Sequence, residues 1–192
     1  MPDVHLTFDD GPDPLWTPAV LDALAQCGVR ATFFAVGRAA RAHPGLVRRI
    51  VEAGHALGNH TWSHRHPWLL RRHEAVAEVL DGAHAIADVT GTPVRLFRPP
   101  HGRMRACMAE AAAAAGQRTL LWTRSAVDWG ALATPAGIAR RLARVRDGDI
   151  VLMHDAARGS NRPQSLLHVL PGFLWRLQQE GWHTTGVDAS TC

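Results

Sequence analysis

Five glycines punctuate this chain and constrain its fold more than any other feature. Gly28, Gly54, Gly91, Gly116 and Gly181 each follow a segment of helical periodicity and precede a short run rich in β-branched or aromatic residues. Helices commonly end at such positions on a left-handed residue. The short runs predict strands at 4–8, 31–36, 56–59, 95–97, 119–123, 150–153 and 184–187. This alternation argues for repeated βα units around a parallel sheet or barrel. Between the strands, Trp16, Val20, Leu21 and Leu24 share one helical face, as do Leu166, Leu170, Phe173, Leu174 and Leu177. Both stripes read as core. Pro171 is tolerable only near the start of a helix, so the last helix is predicted from about His168 or Leu170 to Glu180.

The 192 residues are 46% apolar, enough for one packed core. No linker or low-complexity tract interrupts them, so residues 1–192 are read as one domain. The formal charge is +4, and all 21 basic residues are arginine. Arg48-Arg49, Arg71-Arg72 and Arg140-Arg141 are scattered pairs, unlike the basic face with interleaved aromatics of a nucleic-acid binder. No run approaches the roughly 18 apolar residues of a membrane span. Residues 1–5 lack the basic start and apolar stretch of a secretory signal, which predicts a cytoplasmic location, or a secreted one if a leader is trimmed. Cys27, Cys107 and Cys192 show no C-x-x-C spacing and are read as free thiols, two inside and the last at a loose terminus. No protein partner is indicated.

Almost every unusual polar residue lies just after a predicted strand, and in a parallel barrel those ends converge on one face. In Thr7-Phe8-Asp9-Asp10-Gly11-Pro12 two adjacent carboxylates leave a strand in different directions, so one can bind a cation while the other faces substrate or water. Alone, the run is equally good turn chemistry. Asn59-His60-Thr61-Trp62-Ser63-His64 places two imidazoles four residues apart, on one face if the segment is a helical turn. A carboxylate from another strand end then completes three protein ligands with an open position, a catalytic zinc arrangement. His66 is offset from that face and is read as surface or as support behind the ligands.

Phe97-Arg98-Pro99-Pro100-His101-Gly102 is a rigid turn whose arginine can keep a carboxylate ionised and fix its direction. Asp128-Trp129 and Ile150-Val151-Leu152-Met153-His154-Asp155 complete the set. His154 is suited to protonate a leaving amine, and an acid such as Asp128 can orient its ring.

Taken together and in this order, the five runs, with Ala31-Thr32-Phe33-Phe34-Ala35-Val36-Gly37, resemble the polysaccharide deacetylase family. This is the NodB-homology group of carbohydrate esterases that deacetylate N-acetylglucosamine in chitooligosaccharides and peptidoglycan. The resemblance implies an α/β fold, a distorted (β/α) barrel of seven or eight βα units. It implies that Asp10, His60 and His64 bind one divalent metal, usually zinc, with cobalt or nickel accepted by the same ligands. It further implies Asp9 as base, paired with Arg98, and His154 as acid, tuned by Asp128. Leu152 would line a pocket for the acetyl methyl, Trp129 would flank the sugar groove, and the backbone N–H of His101 would hold the oxyanion.

Two positions depart from the family pattern: Ser125 stands where an acid often lies three before the Asp of Asp-Trp, and His101 where tyrosine is common. The expected substrate is an N-acetylglucosamine oligo- or polysaccharide. The alternatives are a small acetylated amino-sugar metabolite, another linear or cyclic amide, and sugar binding without turnover. A two-metal phosphoesterase would need more carboxylates than these strand ends supply.

Overall fold

The computed structural model describes residues 1–187. Eight strands form one parallel sheet: β1 (Asp3–Asp9), β2 (Thr32–Ala35), β3 (Ala56–Asn59), β4 (Leu96–Phe97), β5 (Arg118–Thr119), β6 (Arg124–Ser125), β7 (Asp149–His154) and β8 (His183–Thr184). Their order is β5-β4-β3-β2-β1-β7-β6, with β8 beside β1. Around them lie α1 (Trp16–Gln26), α2 (Gly37–Ala42), α3 (Pro44–Glu52), α4 (Arg72–Thr90), α5 (Ala106–Ala114), α6 (Pro135–Leu142), α7 (Pro163–Leu167) and α8 (Leu170–Gln179). The sheet curls into a half-barrel, the distorted barrel expected from the sequence. All five glycines that punctuate the chain have left-handed φ, between 62° and 77°.

The period of two along the strands decides which residues face the interior. On β1, Val4, Leu6 and Phe8 join Val20, Leu24, Leu174 and Leu177 in the helix-facing core, which leaves Thr7 and Asp9 on the other face. On β7, Val151 and Met153 pack into the same core, so Leu152 and His154 share the face of Asp9. The parallel register then sets Asp9 directly beside His154. Phe34, Leu96, Leu120 and Val187 form a separate buried cluster.

Two strand expectations need correction. The run predicted at 119–123 is broken: Arg118–Thr119 pairs with β4 and Arg124–Ser125 with β7. The cause is chemical, because the carbonyls of Leu120 and Leu121 accept hydrogen bonds from the Arg98 guanidinium at 3.0 Å each and are not free for a ladder. The last strand is His183–Thr184 and not 184–187; Val187 N–H instead donates to Thr32 Oγ1 at 2.8 Å. Pro171 lies in the first turn of α8, as predicted, while Leu166 belongs to the separate short α7. Cys27 is half-buried and Cys107 buried, both free, and Cys192 lies outside the described residues. No helix among the described residues is long and apolar enough to cross a membrane.

Candidate active site

β1 ends on Asp9, whose carboxylate has left water and needs a partner. Arg98, fully buried, supplies it: Nη1 donates to Asp9 Oδ1 at 2.8 Å and to Thr7 Oγ1 at 2.7 Å. Nε and Nη2 are taken by the Leu120 and Leu121 carbonyls, and the guanidinium lies 4.0 Å from the Phe34 ring centroid. Burial pulls the Arg98 pKa below its ordinary value, and the Asp9 charge opposes that fall. The second carboxylate oxygen, Asp9 Oδ2, is 3.7 Å from His60 Nε2.

Asp10 turns away from its neighbour because its backbone adopts φ 80°. Its Oδ1 lies 3.0 Å from His64 Nε2 and 3.6 Å from His60 Nε2. The residues from 60 to 66 form a loop and not the helical turn expected from their spacing; Thr61 and His64, both at positive φ, bring the rings together at 4.9 Å between centroids. His60 Nδ1–H donates to the Arg98 carbonyl at 2.7 Å, which commits its Nε2 lone pair to the site. Burial first, then neighbouring His60, lower the His64 pKa to about 3 against the pull of Asp10, so its imidazole is neutral.

These residues fit a metal ion on the structure's own terms. Asp10 Oδ1 is buried with no hydrogen-bond partner, and ligand atoms of Asp10, His60 and His64 all lie within 4.8 Å of one another. Burial pushes the Asp10 carboxyl up, but His64, His60, His154 and the Asn161 hydrogen bond outweigh it and hold the group below its usual range. One carboxylate oxygen and two imidazole nitrogens, with the His64 ring neutral, form a donor set suited to a divalent cation.

Across the same opening, His154 Nδ1–H donates to Asp128 Oδ1 at 2.8 Å, and its backbone N–H donates to Oδ2 at 2.8 Å. Burial lowers the His154 pKa, but Asp128, by charge and by hydrogen bond, with Asp10 and Asp9, overcomes it and raises it to about 9. The ring is therefore an imidazolium at neutral pH with Nε2–H free to donate. A cavity of about 550 Å³ joins Asp9, Asp10, His154, His101, Leu152 and Trp129.

A polysaccharide deacetylase family model matches residues 1–120. A peptidoglycan-N-acetylglucosamine deacetylase of Bacillus cereus is 34% identical over 187 residues, 96% of this chain and 86% of the relative. This chain belongs to the polysaccharide deacetylase family. A chitooligosaccharide deacetylase of Sinorhizobium fredii is 39% identical over 155 residues, 80% of this chain and 72% of the relative. A family 4 carbohydrate esterase from Streptomyces lividans, solved with acetate, superposes with a TM-score of 0.85 at 34% identity, covering 95% of this chain and 91% of that one.

In this polysaccharide deacetylase the two departures from the family pattern have visible consequences. Ser125 Oγ accepts the Val127 N–H at 3.0 Å, bracing the turn that carries Asp128 without an acid. His101 packs edge-on against His64 at 4.8 Å and stacks with His66 at 5.1 Å, so His66 supports the site from behind. Sequence reasoning missed Asn161, whose Nδ2 donates to Asp10 Oδ2 at 2.7 Å. It also missed Asp155, which is buried, bonded to Thr17 Oγ1 at 2.6 Å and Gly11 N–H at 3.1 Å, and pushed up to about 7 chiefly by burial. Trp122, Arg158, Gly159 and Ser160 are the other cavity walls it missed. For residues 155–161 the one signal was their position after a strand end, and Trp122 lay inside the predicted strand 119–123.

Proposed function

We propose that this metal-dependent hydrolase removes N-acetyl groups from N-acetylglucosamine residues of oligo- or polysaccharides, with Asp9 as base and His154 as acid. One juxtaposition carries the reading: two proton-transfer groups, each held by its own buried partner, flank an Asp-His-His group within one cavity. Zinc suits two imidazoles and one carboxylate, and cobalt or nickel can use the same ligands. When bound by Asp10, His60 and His64, the metal supplies Lewis-acid polarisation of the amide and acidifies water.

The chain's own residues account for the rest. Asp9, fixed by Arg98, accepts a proton from the attacking water through Oδ2. The His101 backbone N–H donates to the oxyanion that develops on the acetyl carbonyl oxygen as its carbon becomes tetrahedral. His154 then transfers its Nε2 proton to the departing nitrogen while Asp128 holds its ring through Nδ1, leaving acetate and a free amine. Leu152 lies against the acetyl methyl, and Trp129, its ring 5.3 Å from that of His154, flanks the sugar.

Acetate release from N-acetylglucosamine oligomers by metal-reconstituted protein tests this reading. Asp9→Asn is expected to abolish turnover while retaining metal; an unchanged rate removes Asp9 from the mechanism.

A further inference from the structure

The two curated relatives differ in the charge of what their names say they act on: chitooligosaccharides are neutral, whereas peptidoglycan carries carboxylates. The cavity itself bears on that difference. Of its charged side chains, Asp9 is committed to Arg98, Asp10 to the imidazole pair and His154 to Asp128. Arg158 is the remaining charge on the wall. Its Nε sits 4.0 Å from Asp10 Oδ1 without a hydrogen bond and is buried without any hydrogen-bond partner, while the side chain as a whole is 30% exposed.

A guanidinium beside a divalent-cation site is repelled by that cation; the Asp10 carboxylate 4.0 Å away offsets only part of that repulsion without accepting a hydrogen bond, and an anionic group on a ligand offsets more. The loop that carries it is braced on every side. Ala157 N–H donates to Asp13 Oδ2 at 3.3 Å, and Asn161 N–H to the Arg158 carbonyl at 3.0 Å. Gly130 N–H donates to the Ser160 carbonyl at 2.9 Å and Arg162 N–H to that of Asp128 at 2.7 Å. A bridge between Trp129 and Asn161 joins the two walls. These bonds fix the backbone that presents Arg158 before a ligand arrives.

We infer that Arg158 is a specificity-determining residue that selects N-acetylated saccharides bearing a carboxylate near the reacting acetamide. This rests on the deacetylase reading and names its substrate class. The planar fork of donors matches a carboxylate in a way a sugar hydroxyl cannot. One charge-assisted contact of this kind corresponds to about 10- to 100-fold in affinity.

The test uses the full chain with metal restored and two matched oligosaccharides, one carrying a free carboxylate on the sugar next to N-acetylglucosamine and the other its methyl ester. Wild type is expected to favour the acid about tenfold or more in kcat/KM, mainly through KM. Arg158→Gln brings the ratio close to one, and Arg158→Lys, which keeps charge but loses the fork, falls between. Calorimetric binding of the two deacetylated products to wild type and both variants gives the same ranking without turnover, and circular dichroism confirms that each variant is folded. Equal loss on acid and ester would place Arg158 at the reacting carbonyl and overturn the inference, as would a preference that survives Arg158→Gln. Acetate release from neither substrate by wild type would sink the deacetylase reading instead, leaving the calorimetry to decide Arg158.

Discussion

Replacing Arg98 with methionine keeps much of the side-chain stem and removes the guanidinium. The change deletes four hydrogen bonds at once, to Asp9, Thr7, Leu120 and Leu121. It also leaves Asp9, itself only 3% exposed, as a buried carboxylate facing no cation at 2.8 Å. Removing one partner of a buried ion pair costs about 3–5 kcal/mol, most of it from the charge left behind. Urea denaturation in excess chelator measures the loss without a contribution from bound metal. Removing both charges costs less than removing one, so Asp9→Asn placed in the Arg98→Met background is expected to recover at least about 1 kcal/mol. A loss below about 1 kcal/mol for Arg98→Met, or no recovery in the double variant, would refute the claim that an uncompensated buried charge dominates this site.

Asp128→Asn is expected to lower the pH at which the basic limb of kcat falls by about 1–3 units, since the carboxylate is what raises the His154 pKa; a profile that stays put would exclude His154 as the acid. The same raised value predicts a stability effect with a definite sign: the contribution is full below the ordinary histidine value of 6.5 and is lost as pH rises through about 9. Denaturation of metal-free protein across that range should show the decline, flattened in Asp128→Asn. Asn161→Ala removes the donor to Asp10 Oδ2 and is expected to weaken metal binding by about 10- to 100-fold in a chelator competition; unchanged affinity would make Asn161 a loop brace only.

The helix-to-strand alternation was legible because glycine punctuation and apolar stripes are local signals. The placement of Asp9 beside His154 was also implicit, since both end apolar strands whose outward faces are marked by Leu6, Phe8, Val151 and Met153. What local pattern could not convey was competition for backbone groups. Residues 119–123 have strand-like composition, yet their carbonyls serve a guanidinium 22 residues away in sequence. Close approaches were equally hidden. A Cβ on Gly11 would lie 2.2 Å from Asp155 Oδ2, and one on Gly82, in the middle of α4, would lie 2.4 Å from Asn59 Oδ1. The first explains why Asp155 can reach beneath the ligand-bearing turn, and the second how α4 comes close enough to support the loop that presents His60 and His64.

That loop belongs to a wider pattern. The non-glycine residues with positive φ among the described residues are Asp10, Thr61, His64, His101 and Val127. Asp10 and His64 are proposed ligands, Thr61 lies between the two histidines, His101 offers the oxyanion donor, and Val127 precedes Asp128. Such conformations cost of order 1–3 kcal/mol each and persist only where the surroundings over-determine them. Here the surroundings are identifiable: the Asn59 side chain accepts from Thr61 N–H at 3.0 Å, Ser125 Oγ holds Val127 N–H at 3.0 Å, and Trp62 N–H donates to the Glu78 carbonyl at 2.7 Å. Glycine would relieve the strain at any of these positions but would remove the ligand, or loosen the turn that aims it. The barrel core, built on Leu6, Phe8, Met153 and their helix partners, therefore has a second task besides stability. It offsets the strain of a site whose side chains converge only because five backbones are held where side-chain-bearing residues seldom go.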